Sequence, residues 1–187
     1  MGLIKQIHDY FWHRYYDREL AKLNRKKKII NIEQAGNIGI LFNVVDVKTY
    51  EKVTGFVRYL QDKGKNVKVL GFINNKSTPY YCPPKLAYDY FTTKDLNWYK
   101  RPSNHFVNDF MRLNFDLCIN LDLHNSKPLQ YVSGLSMARL KVGPWSEDSE
   151  KFFDLMIKID DKDDLSEYIK QVNYYLSQLK PSTNEKI

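Results

Sequence analysis

One short segment gathers most of the side-chain types that chemistry needs. Asp122-Leu-His-Asn-Ser-Lys-Pro128 sets a carboxylate, an imidazole, an amide, a hydroxyl and an ammonium within seven residues. In that order His124 is a general-base candidate and Asp122 its orienter. The same residues also suit a plainer part, because Asp122, Asn125 and Ser126 are ordinary loop and helix-capping types. A helix beginning near Ser126 and Pro128 would aim backbone N–H groups at an anion. A second polar segment, Asn43-Val-Val-Asp46, follows an apolar run. Asn43, Asp46, Asp122, His124, Asn125 and Ser126 are therefore the candidate crevice residues. In the leading reading none of them is catalytic.

Other motifs exclude more than they suggest. Gly36-Asn-Ile-Gly39 precedes the first apolar run, and no glycine follows that run. A dinucleotide fingerprint needs glycine after the strand so that the backbone can approach a pyrophosphate, and no P-loop occurs either. Ser133-Gly-Leu-Ser136 lies within a helical pattern and lacks the strand-to-helix setting of a nucleophile elbow. His8 and His13 have no acidic partner at ligand spacing, so no metal site is expected. No cofactor is expected. Tyr80, Tyr81, Tyr88, Tyr90, Phe91, Trp98 and Tyr99 form either a stacking surface or rings that tie a loop to the core.

The elements that must position these residues follow from periodicity. Residues 3–24 read as a helix, with Leu3, Ile7, Phe11 and Tyr15 near one face. Asn37–Phe42 is a strand, Asp46 caps a helix over 47–63, Gly64 stops it, and 65–73 is a second strand. Such a unit is parallel with a right-handed crossover. A third strand is expected at 88–92, a helix over 104–113 capped by Ser103, and a fourth strand at 115–121. The last is almost continuously apolar, as a central parallel strand covered on both faces should be. A helix from 126 to 137, a short strand over 139–142 ended by Gly143-Pro144, a strand over 152–159 whose first half also fits a helix, and a helix over 164–179 capped by Asp164 complete the series.

This alternation predicts a three-layer, Rossmann-like α/β domain with a mostly parallel sheet of five or six strands, plus an N-terminal helix. The expected organisation is a basic aromatic helix over 1–28, the domain over 29–180 and a frayed tail over 181–187. With strand order 3-2-1-4-5 the ligand crevice lies beyond the carboxyl ends of strands one and four.

Charge is unevenly spread. Of the net +7, residues 1–28 carry eight basic and three acidic side chains, while 147–167 carry nine acidic and three basic. Arg14, Arg18, Lys22, Arg25, Lys26, Lys27 and Lys28 are thus candidates for binding an anionic partner, RNA or an anionic membrane surface; a protein partner is the other choice. Contact between the two poles, or a solvated helix end, explains the same asymmetry. No apolar run is long enough for a transmembrane helix. The N-terminus lacks a signal-peptide pattern, Cys118 sits in an apolar run and Cys82 beside prolines, so a cytoplasmic protein is expected.

Two resemblances bear on these expectations. Phe115-Asp-Leu-Cys-Ile-Asn-Leu-Asp-Leu123, the small residues after it and Arg139-Leu-Lys-Val-Gly143 resemble the acceptor half of heptosyltransferase-type glycosyltransferases. This implies a Rossmann-like fold and a transferase-like or small-molecule-binding use of the crevice. The family's Gly-Asp element after its first strand is replaced here by Asn43-Val-Val-Asp46. Ile38-Gly-Ile-Leu-Phe-Asn43, Gly64-Lys65, Tyr90–Tyr99 and Phe115–Gly143 are similar to a bacterial family classed as a domain of unknown function, which implies no activity. The leading expectation is an uncharacterised, non-catalytic binding protein that docks through its basic helix; enzymatic use of the crevice is the alternative.

Overall fold

The computed structural model describes residues 2–83, 85–161 and 164–180. The tail over 181–187 and the Leu3 side chain lie outside the described residues. A helix, α1 (Gly2–Leu20), precedes the alternating series β1 (Asn37–Asn43), α2 (Val47–Asp62), β2 (Asn66–Ile73), β3 (Tyr88–Thr92), α3 (His105–Arg112) and β4 (Leu117–Asn120). Then come α4 (Lys127–Leu135), β5 (Leu140–Pro144), β6 (Leu155–Ile157) and α5 (Leu165–Gln178). The six strands form one sheet in the order β3-β2-β1-β4-β5-β6, and every pairing is parallel. This is the three-layer Rossmann-like fold. Strand order reverses between β1 and β4, where Ile38 pairs with Leu117 and Ile40 with Ile119.

Strand pleating distributes β1 between two cores. Ile38, Ile40 and Phe42 pack with Val53, Phe56, Val57 and Leu60 of α2 and Tyr168, Val172 and Leu176 of α5. Leu41 faces the other way, into Leu70, Val107, Phe110, Leu129 and Val132 beneath α3 and α4. The expected caps at Asp46 and Asp164 are present: their carboxylates accept the amides of Thr49 at 2.7 Å and Glu167 at 3.0 Å. For α3 the cap is Asn104, whose Oδ1 accepts the Val107 amide at 3.2 Å, and not Ser103.

Two other expectations need correction. Gly143 and Pro144 do not stop β5 ahead of them but are its last two residues, paired with Met156 and Ile157 of β6. Pro144 is tolerated because a strand end needs no further donor. The Phe152-Phe153 run is not strand: it closes a 3₁₀ turn over Ser149–Lys151, and its rings are buried.

Those rings belong to a third core that seats α1. Trp12 and Tyr16 pack with Tyr131 and Leu135 of α4 and with Phe152 and Phe153. Trp12 and Tyr16 stack at 5.1 Å, and the Tyr16 hydroxyl donates to the Lys151 carbonyl at 2.8 Å. A Cβ at Gly134 would overlap the Tyr16 phenol, so the close approach of α1 to α4 requires glycine there. Gly134→Ala should therefore lower stability by about 1–3 kcal/mol, the usual cost of overpacking. Gly55→Ala is the contrast. Gly55 lies exposed within α2 with nothing near its missing Cβ, so alanine should stabilise by about 0.5–1 kcal/mol. Urea melts of both variants check the pair; a wild-type midpoint for Gly134→Ala would mean that α1 is not tightly seated.

Candidate functional site

The topology brings four of the six crevice residues together. Asn43, Asp46, Asp122 and His124 line a cleft of about 210 Å³ beyond the carboxyl ends of β1 and β4, with Thr49, Leu121 and Leu165 among its other walls. Asn125 and Ser126, which precede α4, do not line it. Asn125 adopts positive φ (54°), a conformation that asparagine accepts more readily than most residues.

The carboxylates of this cleft are engaged with the backbone. The Thr49 amide holds the Asp46 carboxyl below the usual carboxylate range. Asp122 is buried, and its two oxygens accept the amides of His124 at 3.2 Å and Ser126 at 2.7 Å. Its own amide donates to Asn120 Oδ1 at 2.8 Å, and the Asn120 side-chain amide donates to Ser133 Oγ at 3.0 Å. Asp122 thus closes the β4–α4 turn. Ser126 occupies the N-cap position without making a side-chain capping bond.

The basic segment divides into three parts. Arg14 and Arg18 are exposed on α1, and Lys22 pairs with Glu19 at 2.9 Å. Arg25 is enclosed: it donates to Asp154 at 2.5 Å and to the carbonyls of Ala138 and Arg139 at 3.1 and 3.2 Å. Lys26, Lys27 and Lys28 are exposed, with Lys27 also 3.2 Å from Asp154. The basic and acidic poles therefore meet at Asp154. Of the aromatic loop, Trp98 and Tyr99 flank α1: Phe11 contacts Trp98, and Tyr15 stacks on Tyr99, each at 5.0 Å between ring centres.

A family model matches residues 8–179, from within α1 to the end of α5. The chain belongs to DUF6913, a family of unknown function. No curated protein matches it. The family match does not carry the likeness of residues 115–143 to heptosyltransferase-type enzymes. The DUF6913 match takes in most of α1, in keeping with a helix that shares the domain's packing.

This DUF6913 chain also buries a cluster that sequence reasoning missed. Lys141 lies on β5 opposite Cys118 of β4 and is 2% exposed. Its ammonium donates to the Gly134 carbonyl. Burial pushes Lys141 down to about 7, Arg25 acts in the same direction, and Asp154 opposes. Burial pushes the Cys118 thiol up to about 12. Burial also works against the charge of Asp154, but hydrogen bonds from Arg25 and the Lys141 amide hold its carboxyl below the usual range. The signal was present in the sequence: a lysine between Leu140 and Val142, in a segment expected to be a short strand.

Folded Lys141 holds its proton less tightly than an unfolded lysine does, so above pH 7 the unfolded chain binds more protons. This group's penalty is full below about pH 7 and is relieved as pH rises toward the ordinary lysine value of 10.5, by at most ~1.4 kcal/mol per pH unit. Cys118 acts oppositely only above its ordinary value of 9.0. Lys141→Met should flatten the stability rise between about pH 7 and 8.5 in urea melts. Equal slopes in variant and wild type would show that the folded ammonium titrates normally.

Proposed function

We propose that this protein is a non-catalytic binding protein that docks through its basic N-terminal helix onto an anionic partner. One observation carries the reading. The face of α1 turned away from α4 keeps Arg14 and Arg18 exposed, and the chain beyond it presents Lys26 and Lys28, while the opposite face is locked by Trp12 and Tyr16. Cations held on a seated helix present their charge at fixed positions, which favours electrostatic capture of an anionic surface. Arg25 takes no part, because its guanidinium is committed to Asp154. Two free, buried cysteines suit a reducing compartment, and we place the protein in the cytoplasm. The crevice draws less support, since its Asp46 and Asp122 carboxylates already receive backbone amides.

Removing α1 would uncover Tyr131, Leu135 and Phe152, so the test keeps the full chain. A variant carrying R14E, R18E, K26E and K28E should elute from immobilised heparin at clearly lower salt than wild type. A charge-matched variant on α2 and its end, with K48E, K52E, R58E and K63E, should shift much less. All eight positions are exposed. Equal shifts for the two variants would reduce the effect to net charge and remove α1 as the docking element.

A further inference from the structure

We infer that the partner surface is an anionic phospholipid bilayer, onto which the outer face of α1 docks by inserting apolar side chains among the headgroups. The inference rests on the docking reading above and narrows it to one class of partner.

Helix α1 carries three rows of side chains. Asp9, Trp12, Tyr16 and Leu20 face the domain, and Asp9 pairs with Lys127 of α4. His8, Phe11 and Tyr15 turn toward the loop of Trp98 and Tyr99. The third row is Ile4, Ile7, Tyr10, Arg14 and Arg18, spaced by threes and fours. A helix lying on a globular domain ordinarily presents polar residues there. Here Ile4 is 68%, Ile7 42% and Tyr10 59% exposed, and Trp98, against Phe11, is 55% exposed.

The chemistry of that row separates lipid from nucleic acid. Isoleucine offers a base neither a stacking plane nor a hydrogen bond, whereas in a headgroup layer it leaves water for acyl chain. Tyrosine and tryptophan have an apolar body and a polar tip, the pattern favoured at the membrane interface. The row is graded along the helix, with aliphatic residues in the first turns and arginines in the last. Arg14 also donates to the Tyr10 hydroxyl at 3.4 Å, which sets a guanidinium beside the ring at the apolar–cationic boundary. Apolar insertion combined with cationic contact to lipid phosphate describes an interfacial helix. Asp17, at the margin of the row, is its acidic neighbour. No helix among the described residues is long and apolar enough to cross a membrane, so the association is with one leaflet.

The test uses the full chain in co-sedimentation with vesicles of phosphatidylcholine and phosphatidylglycerol, with pure phosphatidylcholine vesicles, and with a labelled single-stranded RNA in a parallel assay. Wild type should bind the anionic vesicles, bind neutral ones at least tenfold more weakly, and show a blue shift of tryptophan emission that W98F removes. I4Q/I7Q leaves charge unchanged and alters exposed positions only, so the protein should melt as wild type does. Its affinity for anionic vesicles should nevertheless fall by about tenfold or more. Unchanged vesicle binding by a folded I4Q/I7Q variant would overturn apolar insertion. Binding to RNA with none to vesicles would sink the lipid inference and leave the docking reading standing. Absence of binding to either, with no selective heparin shift, would sink both.

Discussion

The carboxylate of Asp154 joins three pieces of chain: the segment after α1, β5 and the turn before β6. It accepts the Arg25 guanidinium at 2.5 Å and the Lys141 amide at 3.0 Å, and Lys27 lies 3.2 Å away. The Asp154 amide returns a bond to the Lys141 carbonyl at 2.8 Å. Removing one partner of such a shielded pair costs about 3–5 kcal/mol, because the other charge is left without compensation. Here the cost would spread. The segment after α1 would lose its anchor, and the buried Lys141 ammonium would lose a carboxylate that favours its charge. Together with the Asp9–Lys127 pair midway along α1, the Arg25 bond beyond its last residue holds the helix at two points.

That fixation explains how one helix can serve two surfaces. An isolated helix with apolar residues all round would turn to bury whichever side it could. The α1 helix cannot turn, because Tyr16 fills the space left by Gly134 and Tyr15 lies flat on Tyr99. Ile4, Ile7 and Tyr10 are thereby held in water on a rigid support. The cleft at the β1–β4 switch point differs in kind. Its acids stabilise the turns that lead into α2 and α4, and its volume is small.

Much of the fold was legible because its signals are local. The continuous apolar run of β1, the stripe of Val53, Phe56, Val57 and Leu60, and the Asp46 and Asp164 caps each lie within one element. The fully covered β4 read correctly as a central parallel strand. The switch-point crevice was legible too, since topology alone brings Asn43 and Asp46 beside Asp122 and His124. What failed to show were partnerships across long sequence distances. Nothing near Arg25 indicates an acid 129 residues away, so it read as one more docking cation. Phe152 and Phe153 fitted strand or helix, because an apolar run carries no mark of the helix it will cover. Trp98 and Tyr99 left two roles open, and the choice lay in rings of α1 almost ninety positions earlier.

Both thiols are enclosed in this structure: Cys118 faces the α3–α4 core, and Cys82 packs against the α2–α5 core. A maleimide or iodoacetamide added to the folded chain meets neither sulfur until a segment opens. The two sites sit on opposite faces of the sheet, so their labelling rates read separate events. Cys118 records opening of the central strands, and Cys82 records release of the loop before β3. The protein thus contains its own pair of clocks for local against global unfolding, with no engineered probe to perturb the packing.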